Sequence, residues 1–474
     1  MSLIKNNNLK QNIHELQNKK ILCIGDIILD NFVDSNLIKI SEEDPVNVIK
    51  KKSDNFILGG VGNVALNLKN IGINVDLVCL GSKDQYYNIL RKLLKKEELK
   101  PKIFFEDSRI TTVKERYYID KYHLIRKDLE DTRPISDNFS NRILDYVKKL
   151  ILKKDYDLIL VSDYGKGLIS SYFFKKLSNY CNLKKIKIIT DPKSKNLEKY
   201  NGSFIIKANK KEINSYLEKF NLNIDILDSK NTKLKKQLLN KLKILKIKNF
   251  IITRSKNSTL YFENKRNAKI YAFPVNSLSI VNTTGAGDTF ISFFSAFYLL
   301  KNNFNDSINL ANIFSEYSVN KFGTYAPSFY EIILKNLKLK KYYFSKDQTF
   351  LSKIIEDIKK INISIGFTNG CFDVLHAGHI KLLKEARQKC DFLVVGLNGD
   401  SSVKSNKGKG RPINDIKSRL EIISSLDFVD LVCVFDEKTP LKLIKFIQPK
   451  ILFKGSDYKS NDVVGNKLVK KYGG

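Results

Sequence analysis

Tryptophan is absent from this chain of 474 residues, methionine occurs once, and proline nine times. Acid is scarce as well: 50 Asp and Glu against 83 Lys and Arg give a formal charge of +33. Such an excess suggests nucleic acid. The lysines, however, stand in ones and twos on helix faces such as Lys233-Leu-Lys-Lys-Gln-Leu-Leu-Asn-Lys241, where they solvate the surface. A drift of composition along the whole chain accounts for the charge, and no specific nucleic-acid partner is expected. The six cysteines, at 23, 79, 181, 371, 390 and 433, form no C-x-x-C pair. That speaks against a disulfide framework or a zinc site and for a reducing compartment. Met1 to Lys20 has no signal-peptide core, and the longest apolar run, Phe290 to Leu300, is too short to span a bilayer. The exclusions leave a cytoplasmic enzyme with no membrane partner.

What is present divides the chain. Its length calls for two or three domains. Lys20 to Asp26 reads as a buried first strand ending in a turn, and Gly59 to Asn67 as a glycine loop entering a helix. Alternating apolar and polar residues from Phe104 to Asp128 predict antiparallel strands. Strands at Asn74–Gly81, 156–162, 187–190, 204–207 and Asn249–Thr253 alternate with helical stretches. This pattern gives an α/β fold built on a largely parallel sheet. A Lys-rich stretch from Tyr330 to Lys360 reads as helical and holds the boundary. A second αβ pattern follows, with strands at 363–368, 392–397, Leu431–Phe435 and 451–454. The expected domains are 1–340, a helical linker 341–360, and 361–474.

Each half carries one phosphate-type motif. Asn282-Thr-Thr-Gly-Ala-Gly-Asp-Thr-Phe290 opens an apolar helix. Small residues at Gly285, Ala286 and Gly287 let backbone N–H groups approach a phosphate, and the helix start adds positive potential. Asp288 then stands where a base takes the proton of an attacking hydroxyl. A glycine turn with an Asp N-cap is the plainer alternative. In the second half, Thr368-Asn-Gly-Cys-Phe-Asp-Val-Leu-His-Ala-Gly-His379 runs from a strand into a helix. His376 and His379, at i and i+3, face the same way and offer two potential cations to a nucleotide α-phosphate under attack. The alternatives are a metal pair, weakened by the lack of a third ligand, or surface histidines.

The first half resembles the ribokinase-like sugar kinases, and within them the heptose-7-phosphate kinase domains. The matching pieces are Gly25-Asp-Ile-Ile-Leu-Asp30, Gly59-Gly-Val-Gly-Asn63, Ser162-Asp-Tyr-Gly-Lys-Gly167, Asp191-Pro-Lys193, Asn209-Lys-Lys-Glu212, Thr253-Arg-Ser255 and Thr284-Gly-Ala-Gly-Asp288. The resemblance implies a three-layer domain with a β lid, formed by the strands around Phe104 to Asp128. It puts Asp30, Gly59, Gly60, Asn63 and Arg126 on the sugar. It places Asn209, Lys210, Lys211, Glu212 and Thr253 near the nucleotide, with Glu212 towards Mg²⁺, and makes 285–287 an anion hole with Asp288 the base. Read alone, Asn209 and Glu212 have the N-x-x-E spacing of a helix N-cap and its capping-box partner. Two positions depart from the family: Asn282 where Asp is usual, and Ala208 where Pro is common.

The second half is similar to the cytidylyltransferase-like superfamily, in the order of heptose-1-phosphate adenylyltransferase domains. That resemblance implies a smaller Rossmann-like domain in which Thr368, Asn369, Gly370, Phe372, Asp400, Arg411, Arg419 and Lys454 meet phosphates or nucleotide. Family members continue past the position of Gly474 with a Ser-Thr-Thr segment at a helix start. Its absence implies weakened or lost adenylyl transfer, and the alternative of a sugar kinase with a remnant second domain. The main expectation is a bifunctional enzyme, often dimeric in the kinase family. It phosphorylates D-glycero-β-D-manno-heptose 7-phosphate at C1 with ATP and Mg²⁺, then adenylylates the 1-phosphate to give ADP-heptose for the lipopolysaccharide core.

Overall fold

In the computed structural model, residues 15–120, 122–193, 196–229, 231–255, 257–265, 268–275, 284–319, 323–327, 342–344, 351–352, 355, 358, 364–408, 410–426, 428–455 and 463–474 are described. The chain divides into two compact units, Met1–Ile332 and Ile333–Gly474.

The first unit is an α/β domain. Its strands are β1 (Lys20–Ile40), β2 (Asn47–Gly60), β3 (Asn74–Gly81), β4 (Lys102–Phe105), β5 (Thr112–Ile119), β6 (Tyr122–Leu129), β7 (Leu158–Ser162), β8 (Lys187–Asp191), β9 (Ile205–Asn209), β10 (Asn249–Thr253), β11 (Thr259–Glu263) and β12 (Tyr271–Phe273). The main sheet runs β12-β11-β10-β9-β8-β7-β1-β3-β4. It is parallel from β4 to β10, and its centre is buried on both faces, as in β7, where all five residues are inside. Continuous apolar strands of this kind belong to sheets covered by helices on both sides.

Two expectations are corrected here. β1 does not end in a turn at Asp26. It runs on for 21 residues, leaves the main sheet, and pairs with β2 (antiparallel) and β5 (parallel) to build the lid. Gly25 misleads because it marks a close backbone approach and not a turn: a Cβ there would lie 2.1 Å from the Ser162 carbonyl oxygen. The lid therefore comes from β1, β2, β5 and β6, whereas Phe104 lies in β4 at the edge of the main sheet.

The second unit holds β13 (Tyr342–Phe344), β14 (Ile365–Gly370), β15 (Phe392–Asn398), β16 (Leu431–Phe435) and β17 (Ile451–Leu452), in the order β13-β16-β15-β14-β17 and all parallel. Apolar clusters line both faces of this sheet, one around Phe367, Val394 and Ile444 and one around Leu393, Val395 and Ile423. The stretch expected as a helical linker contains β13, whose Tyr-Tyr-Phe sequence suits a pleated strand. Helical residues Leu351, Ile355 and Ile358 follow it and pack into the same core. Residues 328–341 lie outside the described residues, as does Asn282.

Candidate active sites

In the first unit the crossing of β1 from sheet to lid decides the geometry. Asp26 and Asp30, four residues apart, are both buried where the strand changes sheet. Gly59 and Gly60 end β2 beside them. A Cβ on Gly59 would come within 2.3 Å of an Asp30 oxygen, and one on Gly60 within 2.4 Å of the Asp26 carbonyl, so the lid lies against β1 only because both are glycine. Asp30 Oδ1 accepts from Arg116 Nη1 at 2.6 Å. Together they line a cavity of about 390 Å³ whose wall also carries Lys114, Arg126, Asp128, Glu130, Tyr164, Lys166, Lys193, Gly285 and Asp288.

Gly285, at φ 80°, is the N-cap of the helix Ala286–Lys301. The Asp N-cap alternative thereby falls: Asp288 is in the first turn, buried, and its carboxylate faces the cavity. Asn63 Nδ2 donates to Asp288 Oδ2 at 2.8 Å, and the Tyr164 hydroxyl donates to Oδ1. Burial pushes the Asp288 carboxyl above the ordinary carboxylate range; the Tyr164 and Asn63 hydrogen bonds and the Lys207 charge restrain the rise. Lys207 is buried, pairs with Asp191 Oδ1 at 2.8 Å, and would stand 3.0 Å from a Cβ on Gly287. The glycine lets an ammonium reach the foot of the proposed anion hole. Such a site can ionise a hydroxyl beside a phosphate cradle.

Asn63, expected on the sugar, donates to Asp288. Asn209 and Glu212 form the capping box that their spacing predicts, with Glu212 N–H donating to Asn209 Oδ1 at 2.9 Å and Asn209 N–H to Glu212 Oε2 at 2.8 Å. Glu212 Oε1 also takes Lys193 Nζ at 3.1 Å. Lys210 pairs with Asp225 at 2.7 Å, Lys211 is exposed, and Thr253 is opposite Asn209 in the β9–β10 register. Arg126 is half-exposed and pairs with Asp128 at 2.9 Å. Among the described residues no three His, Cys, Asp or Glu gather to hold a metal. Sequence reasoning gave no role to Tyr164, Lys166, Lys193 or Lys207, although the first three stood in matched motifs.

In the second unit the ligand end is the C-terminal edge of the parallel strands. β14 delivers Thr368 to Gly370, and the helix Ala377–Gln388 begins with His376 as its N-cap. The His376 and His379 rings stack with centroids 3.8 Å apart, and Phe372 packs on His379 at 5.0 Å. Burial, then His376, then Lys407 depress the His379 pKa. Burial and a second ring this close both disfavour the charged form of His379, one of the two potential cations expected here. Thr368 Oγ1 and His379 Nδ1 are buried with no hydrogen-bond partner among the described residues, so both can bond to a polar ligand.

Arg419 is a further correction. It is 1% exposed, and its guanidinium is spent on the chain itself: Nε to Asn414 O at 2.9 Å, Nη1 to Cys371 O and Asn398 O at 2.7 Å each, and Nη2 to Asp400 Oδ1 at 2.5 Å. Planar, five-donor geometry suits this bracing role. Asp400 also accepts from Ile416 N–H at 3.2 Å. Both residues brace the loops at the strand ends. Arg411 rests on buried Asp373 at 2.7 Å, and Lys454 Nζ donates to Asn369 O at 3.2 Å, where burial lowers its pKa.

Comparison with known proteins matches both halves of the chain. The pfkB family carbohydrate kinase model covers residues 18–329, and the cytidylyltransferase-like model covers 367–473. The chain is 36% identical over 459 residues to the bifunctional protein HldE of Aliarcobacter butzleri, covering 95% of this chain and 92% of that protein. It is 35% identical over 464 residues to the HldE of Campylobacter concisus, covering 95% and 93%. Among solved structures, phosphofructokinase-2 from Escherichia coli matches at TM-score 0.53 and 13% identity, covering 67% of this chain and 97% of that one. Ribokinase from Thermotoga maritima matches at 0.51 and 18%, covering 67% and 100%. These structures establish the ribokinase-like fold of the first unit.

Proposed function

Because this chain belongs to the family of bifunctional HldE proteins, we propose that it phosphorylates D-glycero-β-D-manno-heptose 7-phosphate at C1 and then adenylylates the 1-phosphate. ATP is the substrate of both half-reactions, and the end product is ADP-heptose for the lipopolysaccharide core. The observation that carries the reading is the pairing on one chain of buried Asp288 under a cavity with a stacked His376–His379 pair at a second helix start. The kinase-only alternative is not favoured, since the cytidylyltransferase-like model covers 367–473 and both relatives extend through the second unit.

In the first reaction Asp288 takes the proton of the anomeric hydroxyl, Asp30 and Arg116 orient the sugar, and N–H groups at 285–287 meet the transferred phosphoryl. Glu212 and Asp191 would hold Mg²⁺: they are carboxylate oxygen donors within electrostatic reach of one another, and Mg²⁺ takes one or two carboxylates besides phosphates. The ion would neutralise phosphate charge. In the second reaction the attacking sugar phosphate is already ionised and needs no base. His376, His379, Thr368 and Lys454 meet the charge that grows on the α-phosphate.

A two-stage product assay tests this. Heptose 7-phosphate, ATP and Mg²⁺ should yield ADP, and addition of the phosphatase that leaves the 1-phosphate should yield pyrophosphate. ADP without pyrophosphate would return the kinase-only alternative; neither product would overturn the substrate.

No helix among the described residues is long and apolar enough to cross a membrane; a cytoplasmic location is part of the proposal. So is a homodimer through the kinase unit. The far end of the lid leaves Leu37, Ile38, Ile40, Tyr122, Leu124 and Ile125 exposed, an apolar concentration that marks association surfaces. Sedimentation should give twice the mass of one chain, and Ile38→Lys with Ile125→Lys should give one. A monomeric wild type would refute it.

A further inference from the structure

We propose that Tyr164 is the positioning residue of the kinase base: its hydroxyl and the Asn63 amide clamp the two oxygens of Asp288 from two separate segments and set the carboxylate towards the sugar hydroxyl. The inference rests on the reading of Asp288 as the base.

The clamp has one arm from the helix Val61–Asn70 and one from the loop after β7. The second arm is itself anchored. Asp26, buried in β1, accepts from three alternate donors of that loop: Tyr164 N–H and Lys166 N–H at 3.0 Å, and Leu168 N–H at 3.3 Å. Asp163 accepts from Gly165 N–H at 2.7 Å and from the Tyr200 hydroxyl at 2.7 Å. A loop held at so many points presents the phenol in one place. An ionised carboxylate has about four acceptor positions, so two donors fix its plane and still leave room for the sugar hydroxyl. Burial, then the Asp288 charge, keep the phenol protonated, so it can only donate to the carboxylate. The other groups facing Asp288 are Lys207, whose charge favours the ionised form, and Asp30 and Asp191, which oppose it. A donor to the ionised form lowers a carboxyl pKa. Without the hydroxyl, burial weighs more and the base stays protonated to higher pH.

The experiment is Tyr164→Phe in the full chain, following ADP release against pH. A lost hydrogen bond to a charged group predicts a kcat about 10- to 100-fold lower. KM for ATP and sugar phosphate should hold, and the acidic limb should move up by about one pH unit. An unchanged kcat and limb would overturn the proposal. So would a raised KM with kcat kept, which would make Tyr164 a sugar contact. If the variant fails to fold, 3-fluorotyrosine at 164 keeps the shape and strengthens the donor; the limb must then move down, and a limb that stays put overturns the idea. Wild-type turnover of heptose 7-phosphate tests the underlying reading separately. Should it fail, carbon-13 titration of the Asp288 carboxyl in wild type and Tyr164→Phe decides the Tyr164 role without substrate: a higher midpoint in the variant supports it, an equal one overturns it.

Discussion

Asp288→Asn is expected to reduce ADP formation from heptose 7-phosphate by on the order of 10³-fold, the scale of a lost general base. The amide is nearly isosteric, so Asn63 can still donate to its oxygen while the Tyr164 hydroxyl turns to accept from its NH2, and the helix start at Gly285 is untouched. What disappears is the acceptor for the sugar proton. The same logic fixes the pH dependence. Burial raises the Asp288 carboxyl above the usual carboxylate range, and the base acts only when ionised. Wild-type kinase rate therefore falls as pH drops through that raised value, and the Asn variant should show no such limb. Pyrophosphate release from supplied heptose 1-phosphate should be unchanged, because that chemistry belongs to the second unit. A variant retaining wild-type ADP release would remove Asp288 from the mechanism.

The sequence made much of this legible, and the failures have physical causes. The parallel core was readable because buried strands such as Leu158–Ser162 and Phe392–Asn398 are continuous apolar runs between helical periods. The path of β1 was not, because a glycine looks the same in a turn and in a strand pressed against a neighbour. Asp288 was readable from its place after Gly285-Ala-Gly287. Tyr164 was not, because a tyrosine in a loop carries no chemistry until the carboxylate it faces is known, and 124 positions separate the two. Arg419 shows the opposite error. A motif arginine suggests phosphate, yet only coordinates reveal that Asn414, Cys371, Asn398 and Asp400 already consume it. The histidine rings stack with centroids 3.8 Å apart, a spacing that i and i+3 alone do not supply.

That spacing governs the other large effect. His379→Asn is expected to lower pyrophosphate release by about 10²- to 10³-fold, the range for losing one donor to developing phosphate charge, with ADP release by the kinase unit preserved. The pair also makes a prediction about charge. Burial is the first cause that depresses His379, and repulsion from His376 the second. Replacing His376 with Asn removes only the second, so the His379 midpoint, followed by proton NMR, should rise towards the ordinary imidazole value without reaching it. A nucleotide brings negative charge to the same place and should raise the wild-type midpoint further, converting a neutral ring into a cation when the α-phosphate needs one. If ATP leaves that midpoint where it was, His379 acts as a neutral donor throughout, and the growing charge must be met by His376 and Lys454.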